Sequence, residues 1–327
     1  MKNMPNQNIY IGDTSQKMPK VDVQGEFVQM LGEQYYKISN FDALEPFFMS
    51  LVSSSDHWLF ISSSGGLTAG RVSAEQALFP YYTEDKLTEN SENTGSKTIL
   101  LVTHSNRTWL WEPFSIRQQG QYDVERNLYK NLIGTRLVFE EINNSLGLTF
   151  RYSWQTGEKF GFVKASWLLN NNEFSCQIKL LDGIQNILPA NVASTTQHTF
   201  SCLLDAYKRN ELHRHIGLAI YTLNATLTDL AEPSESLLAT TAFQVGFDQA
   251  EYLLSSAQLD RFRSGVGIKM ERETRGKRGA YFVHTTIDMS PNDIRNWHLV
   301  MDVSQDHVAI VRLINTLEGD RTALRKL

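Results

Sequence analysis

Leu148, Phe150, Tyr152 and Trp154 alternate with Thr149, Arg151 and Ser153. A period of two sends successive side chains to opposite faces, so this run reads as a strand with one apolar and one polar side. Asn143-Asn144-Ser145-Leu146-Gly147 precedes it with turn chemistry, which predicts a hairpin between Gly134 and Trp154. A strand of this kind must lay its apolar face against a second layer. Comparable runs recur at 27–31, 35–38, 97–102, 109–111, 121–131, 160–169, 174–181, 216–223, 237–245, 280–289 and 298–303. No fixed-period repeat links them, which excludes a propeller or solenoid, and no β-α-β rhythm is present. The expected class is all-β with a few helices: a large antiparallel sandwich of two sheets packed face to face.

Helical periodicity appears in few places. Thr195 or Thr196 can cap a helix in which Phe200, Leu203, Leu204 and Tyr207 fall at i, i+3, i+4 and i+7. A short helix or turn is expected at 253–262, and the basic run 272–278 reads as a solvated hairpin tip. Near the C-terminus Asp306 can cap a helix with the apolar stripe Ile310, Leu313, Ile314 and Leu317, ended by Gly319 in the C′ position. Asp320 can cap another, in which Ala323, Leu324 and Leu327 open a stripe that the sequence does not complete. This predicts a sandwich over 1–304 and the start of a helical linker over 305–327, the N-terminal piece of a longer protein.

A formal net charge of −5 argues against non-specific nucleic-acid binding. No window approaches a transmembrane span, and the first residues lack the apolar core of a signal peptide, so the chain reads as cytoplasmic. Cys176 and Cys202 form neither a disulfide framework nor a zinc pattern and are expected to be buried thiols.

The run 54–86 carries the densest chemistry. His57-Trp58-Leu59-Phe60-Ile61 is apolar on both faces, as in a strand covered on both sides. Gly65 and Gly66 follow in a turn where both can adopt positive φ. The chain then delivers Arg71, Tyr81, Tyr82 and Asp85. Sugars offer hydroxyls and a weakly apolar C–H face, which proteins meet with aromatic rings, carboxylates and arginine. Together with Trp109 and Trp111, these residues are expected to line a sugar-binding rim at one end of the sandwich. The plain alternative is that the tryptophans are core and the tyrosines cover an outer face.

Other motifs exclude more than they assign. There is no P-loop, dinucleotide fingerprint or Gly-x-Ser-x-Gly elbow. His213 and His215 lack a third ligand nearby in sequence, so no metal is expected, and no cofactor. Glu140 and Glu141 are adjacent on a strand and must point to opposite faces, so they cannot be the paired carboxylates of a glycosidase. Asp182, in Leu-Leu-Asp-Gly-Ile-Gln-Asn, can bind a hydroxyl or cap a turn.

The runs NRTWLWEPFS, VERNLYKNLIGTRLVFEE, GLTFRYSW and LLDGIQNILP, with the Gly65-Gly66 turn, resemble the N-terminal domain of the cellobiose and chitobiose phosphorylase family. The order of parts is similar from about Tyr35 to Gly319. The resemblance implies a galactose mutarotase-like supersandwich, then a helical linker, then an (α/α) barrel carrying the catalytic acid. The sandwich would shape the substrate rim and share in homodimer contacts. Its partners would be an oligosaccharide or disaccharide and the C-terminal catalytic domain of the same chain. The helix at 195–207 and the acidic run 84–92 depart from that family's pattern. Two other readings remain: a free-standing carbohydrate-binding module, and a mutarotase-like enzyme using His284 or His298 with Glu112 or Asp182.

Overall fold

A computed structural model describes residues 9–225 and 237–319. Every ladder among them is antiparallel. Eleven strands form one sheet in the order Glu273–Arg275, Lys208–His213, Leu218–Leu223, Ala239–Val245, Ile294–Gln305, Gly161–Asn170, Leu148–Gly157, Leu137–Asn143, Val124–Asn131, Glu33–Ser39 and Gln24–Met30. Facing it is a five-stranded sheet, ordered Glu251–Leu253, Gly279–Met289, Cys176–Ile187, Gly95–His104 and Arg107–Trp111. A three-stranded sheet, Phe48–Leu51, His57–Ser62 and Leu67–Arg71, shares the same core. The expected antiparallel sandwich is what the chain forms.

Alternation sets the layers. Leu148, Phe150, Tyr152 and Trp154 all enter the shared core, packed with Leu100, Ile178, Leu180 and Tyr281 from the facing sheet. Turn chemistry sets the register. Leu31 and Gly32 both take positive φ, 52° and 79°, which suits the two-residue connection between Gln24–Met30 and Glu33–Ser39. Gly65 is left-handed at φ 94°. Gly66 is not, and matters for space instead: a Cβ there would lie 1.8 Å from the Leu87 carbonyl oxygen.

Asp182 lies between the sheets with no solvent exposure. It accepts from Lys164 Nζ at 2.6 Å, Thr98 Oγ1 at 2.6 Å and Trp297 Nε1 at 2.7 Å. Thr98 comes from the same sheet, whereas Lys164 and Trp297 come from the eleven-stranded one. A buried carboxylate is tolerated only with such partners. Asp182 is therefore not a turn cap, and the hydroxyl it binds is the buried one of Thr98; it ties the two sheets together.

Several local expectations need correction. The helix at 195–207 is two short helices, Ser194–Thr199 and Ser201–Tyr207, broken at Phe200. Phe200 and Leu203 are exposed, so only Leu204 and Tyr207 pack inward, on Val192 and Leu223. The acidic run 84–92 contains the helix Glu84–Glu89. Cys176 is buried, but Cys202 is exposed. The helix His307–Glu318 is capped as expected, Asp306 accepting from the Ala309 N–H at 2.7 Å. Gly319 ends it with φ −78°, without the left-handed turn. Leu313, Ile314 and Leu317 pack on the outer face of the eleven-stranded sheet against Val163, Leu218, Phe243 and Val300. The stripe from Ala323 to Leu327 lies outside the described residues.

Candidate functional site

The residues expected at one rim separate into distant groups. Arg71 ends its strand with Nε donating to His57 Nε2 at 2.9 Å and lying 3.2 Å from Asp302 Oδ1. One terminal nitrogen reaches the Glu158 carbonyl, just past the C-terminal end of Leu148–Gly157. Because His57 Nε2 accepts, its proton sits on Nδ1, 2.7 Å from Ser55 Oγ. Burial and then the Arg71 charge hold this imidazole below its usual pKa, so it is neutral. Tyr81 meets Trp58 edge-on at 5.5 Å, and Tyr82 stacks on His198 at 5.6 Å. Asp85 lies in the first turn of Glu84–Glu89, where the Thr83 hydroxyl donates to it.

Trp109 is half-buried in a cleft that also takes in Ser145 and Leu146, from the turn before Leu148–Gly157. That strand is ten residues long. At about 3.3 Å per residue its two ends lie roughly 30 Å apart, so Arg71 and Trp109 do not share a rim. Trp111 is core, 1% exposed, its Nε1 donating to Glu141 Oε1 at 2.7 Å.

The histidine–carboxylate pairs of the enzymatic reading do not meet either. Glu112 is clamped by Arg263 through two bonds of 2.6 and 2.9 Å. His284 Nδ1 lies 2.8 Å from the Leu180 carbonyl. Trp297 points inward to Asp182, so His298, next along the strand, points outward from the sandwich.

The outer face of the eleven-stranded sheet carries a set that the sequence did not single out. Glu141 points inward to Trp111 and the Phe114 N–H, so Glu140 points outward; the opposite-face expectation for this pair holds. Adjacent strands place Asn127, Glu140, Arg151, Trp167 and Asn296 in register as one row. Glu140 is only 2% exposed. Its Oε1 accepts from Asn127 Nδ2 at 2.8 Å and Tyr129 Oη at 2.7 Å, and its Oε2 accepts from Arg151 Nε. Burial, with the Glu140 charge second, pushes the Tyr129 phenol far above its ordinary range, so it remains a donor.

Arg151 is thus held by one nitrogen, and its two terminal nitrogens make no bond among the described residues. Trp167 is half-buried beside it. His298 pairs with Ala165 and so lies diagonal to Trp167, roughly 7–8 Å across the ladder. Burial lowers its pKa, so this imidazole too is neutral. The arrangement offers a cationic fork and an indole, both half-buried, on the outer face of the sheet, with the buried His298 imidazole, 8% exposed, next to them. Among the described residues no group of three or more His, Cys, Asp or Glu can hold a metal ion, and no helix is long and apolar enough to cross a membrane.

No protein-family model and no curated protein matches this chain, so membership of the cellobiose and chitobiose phosphorylase family is not shown. Solved structures match it in shape. A galactose mutarotase-like protein from Lactobacillus casei is 7% identical with a TM-score of 0.39, over 79% of this chain and 100% of that one. A polysaccharide lyase is 7% identical with a TM-score of 0.39, over 79% of this chain and 32% of that one, so this chain spans about a third of the lyase. A bacterial glucoamylase complexed with acarbose is 10% identical with a TM-score of 0.38, over 94% and 39% of the respective chains. Scores this low assign neither a family nor an activity.

Proposed function

We propose that this chain recognises carbohydrate on the open face of its eleven-stranded sheet, as a non-catalytic sandwich of a carbohydrate-active enzyme. One observation carries the reading: Arg151 is fixed through Nε to the buried Glu140 while its terminal nitrogens stay unpaired beside Trp167. A planar fork can donate to two neighbouring oxygens of a sugar, and an indole suits the C–H face of the ring. Glu140 is saturated by three donors, so it positions Arg151 and does not shuttle a proton.

The finer form of the proposal is the N-terminal sandwich of a glycoside phosphorylase or hydrolase, with His307–Glu318 opening the linker and the catalytic barrel following it. In this form the sandwich also contributes to a homodimer. The docking of that helix on the outer face, beside the candidate site, supports this form. A mutarotase-like enzyme is the second reading, favoured by His298 lying neutral on the same face, diagonal to Trp167.

Titrating the chain with cellobiose, maltose and a glucuronate-containing disaccharide, by calorimetry, tests the proposal. At least one should bind, and Arg151→Ala and Trp167→Ala should each weaken it about tenfold or more with the melting temperature kept. Binding unchanged in both variants, or no binding at all, rejects the site. Turnover of any of these sugars by the purified chain promotes the enzymatic reading.

A further inference from the structure

The cleft around Trp109 is remote from that face. It opens between the edge of the five-stranded sheet and the turn at Ser145 and Leu146, and has a volume of about 540 Å³. This falls within the range of about 300–1,000 Å³ typical of small-molecule sites. Its walls are rings. Trp109 and Tyr122 line it, with His104 and Phe174 stacked on one another at 3.9 Å and 23°. Val102, Leu146 and Cys176 supply apolar surface. Gln121 and Thr14, both exposed, add an amide and a hydroxyl.

The polar groups divide in two. Tyr122 donates to the Leu110 carbonyl at 2.6 Å, and Asn172 Nδ2 is spent on Leu146, Gly147 and Asn170. They brace the walls. The Trp109 indole N–H and the Gln121 side-chain amide make no hydrogen bond among the described residues, so they are available to an occupant. No Asp, Glu, Lys or Arg side chain lines the cleft, so its lining suits an uncharged ligand.

We propose that this cleft is a second binding site, taking one uncharged sugar ring of a longer chain. The ring's C–H face would lie on the aromatic wall, and its hydroxyls would meet Gln121 and the Trp109 indole N–H. It differs in kind from the open face, where Arg151 supplies a fixed positive charge. It does not depend on that face binding anything.

Amide and indole NMR signals of the chain, titrated with methyl β-glucoside, cellobiose and maltotriose, distinguish the two sites. The expected result is saturable movement of the Trp109 indole and Gln121 side-chain signals by at least one of these sugars. That movement should persist in the Arg151→Ala/Trp167→Ala double variant. Trp109→Ala should weaken binding about tenfold or more, and Gln121→Ala about fivefold. Gln121 is exposed, so its replacement keeps the test valid if the Trp109 variant folds poorly. Signals that no sugar moves overturn the proposal. So does a cleft that responds only to the purely aromatic control benzyl alcohol. In the unsubstituted chain, a Trp109 response with no Trp167 indole response would sink the open-face reading alone.

Discussion

Lys164 donates to Asp182 at 2.6 Å across the interior of the sandwich, and neither side chain has any solvent exposure. Burial pulls the ammonium below its ordinary pKa, and the Asp182 charge pulls it back. The pair is a tie between sheets, surrounded by Phe150 and Tyr152 rings at 5.9 and 5.5 Å from Nζ. Truncating one partner of such a pair leaves the other charge uncompensated. Asp182→Ala should therefore cost about 3–5 kcal/mol in urea unfolding, and it also orphans Thr98 and the Trp297 indole. Lys164→Met should cost less, because three donors remain on Asp182: Thr98, Trp297 and the longer Ser166 contact at 3.4 Å. The reverse order would mean that the carboxylate is not the centre of the network.

Asp302 makes stability depend on pH. Burial pushes its carboxyl from 3.8 up to about 6, against the pull of Arg71 and the Val303 N–H. The folded chain then holds this proton more tightly than the unfolded chain. Its contribution is fully present below pH 3.8 and lost as pH rises through about 6. A gap of about two units corresponds to about 3 kcal/mol. Asp302→Asn cannot titrate, so wild-type stability minus variant stability should fall by up to that amount between pH 4 and pH 7. Parallel stability curves would contradict the assignment.

Gly66 should resist substitution for want of space. A Cβ at this position would run into backbone, which cannot swing away, so Gly66→Ala should cost about 1–3 kcal/mol by overpacking. Gly267 has nothing within 4 Å and no positive φ, so Gly267→Ala should be neutral or stabilise by about 0.4–1 kcal/mol. Equal melting temperatures for the two variants would show that the Gly66 turn yields easily.

The two thiols should react at different rates. Cys202 is exposed, whereas Cys176 is buried and its pKa is raised by that burial. With a thiol-specific chromogenic reagent, one equivalent should react quickly in the native chain and the second only on unfolding. Two fast equivalents would show that the Trp109 cleft admits the reagent down to Cys176.

Glu140→Gln tests positioning. The substitution keeps shape and removes the charge that holds Arg151, so sugar affinity on the open face should fall about five- to tenfold. The conservative Tyr129→Phe, which removes only one donor to Glu140, should leave that affinity within about twofold. Identical losses in both would indicate a general loosening of the face.

Period-two patterning determined much of this protein without any long-range information. It identified the Leu148–Trp154 strand, its apolar face, the hairpin before it and the opposite facing of Glu140 and Glu141, because strand geometry forces alternation. Asp306 and the stripe on His307–Glu318 were legible for the same kind of local reason. The break at Phe200 was not, since the helical period continues through it and its cause lies in what remains exposed.

Tertiary structure decided the sites. Alternation says which residues share a face, but not which face meets the second sheet's neighbours and which stays open. Arg151 and Trp167 become partners through strand pairing, and His298 joins them from more than a hundred residues away through the Gly161–Asn170 and Ile294–Gln305 ladder. Arg71 and Trp109, both beside turns, lie near opposite ends of Leu148–Gly157 because each belongs to a different sheet packed against the eleven-stranded one. Local sequence fixes a side chain's direction relative to its own strand; only the order of strands in the sheet fixes what it stands beside.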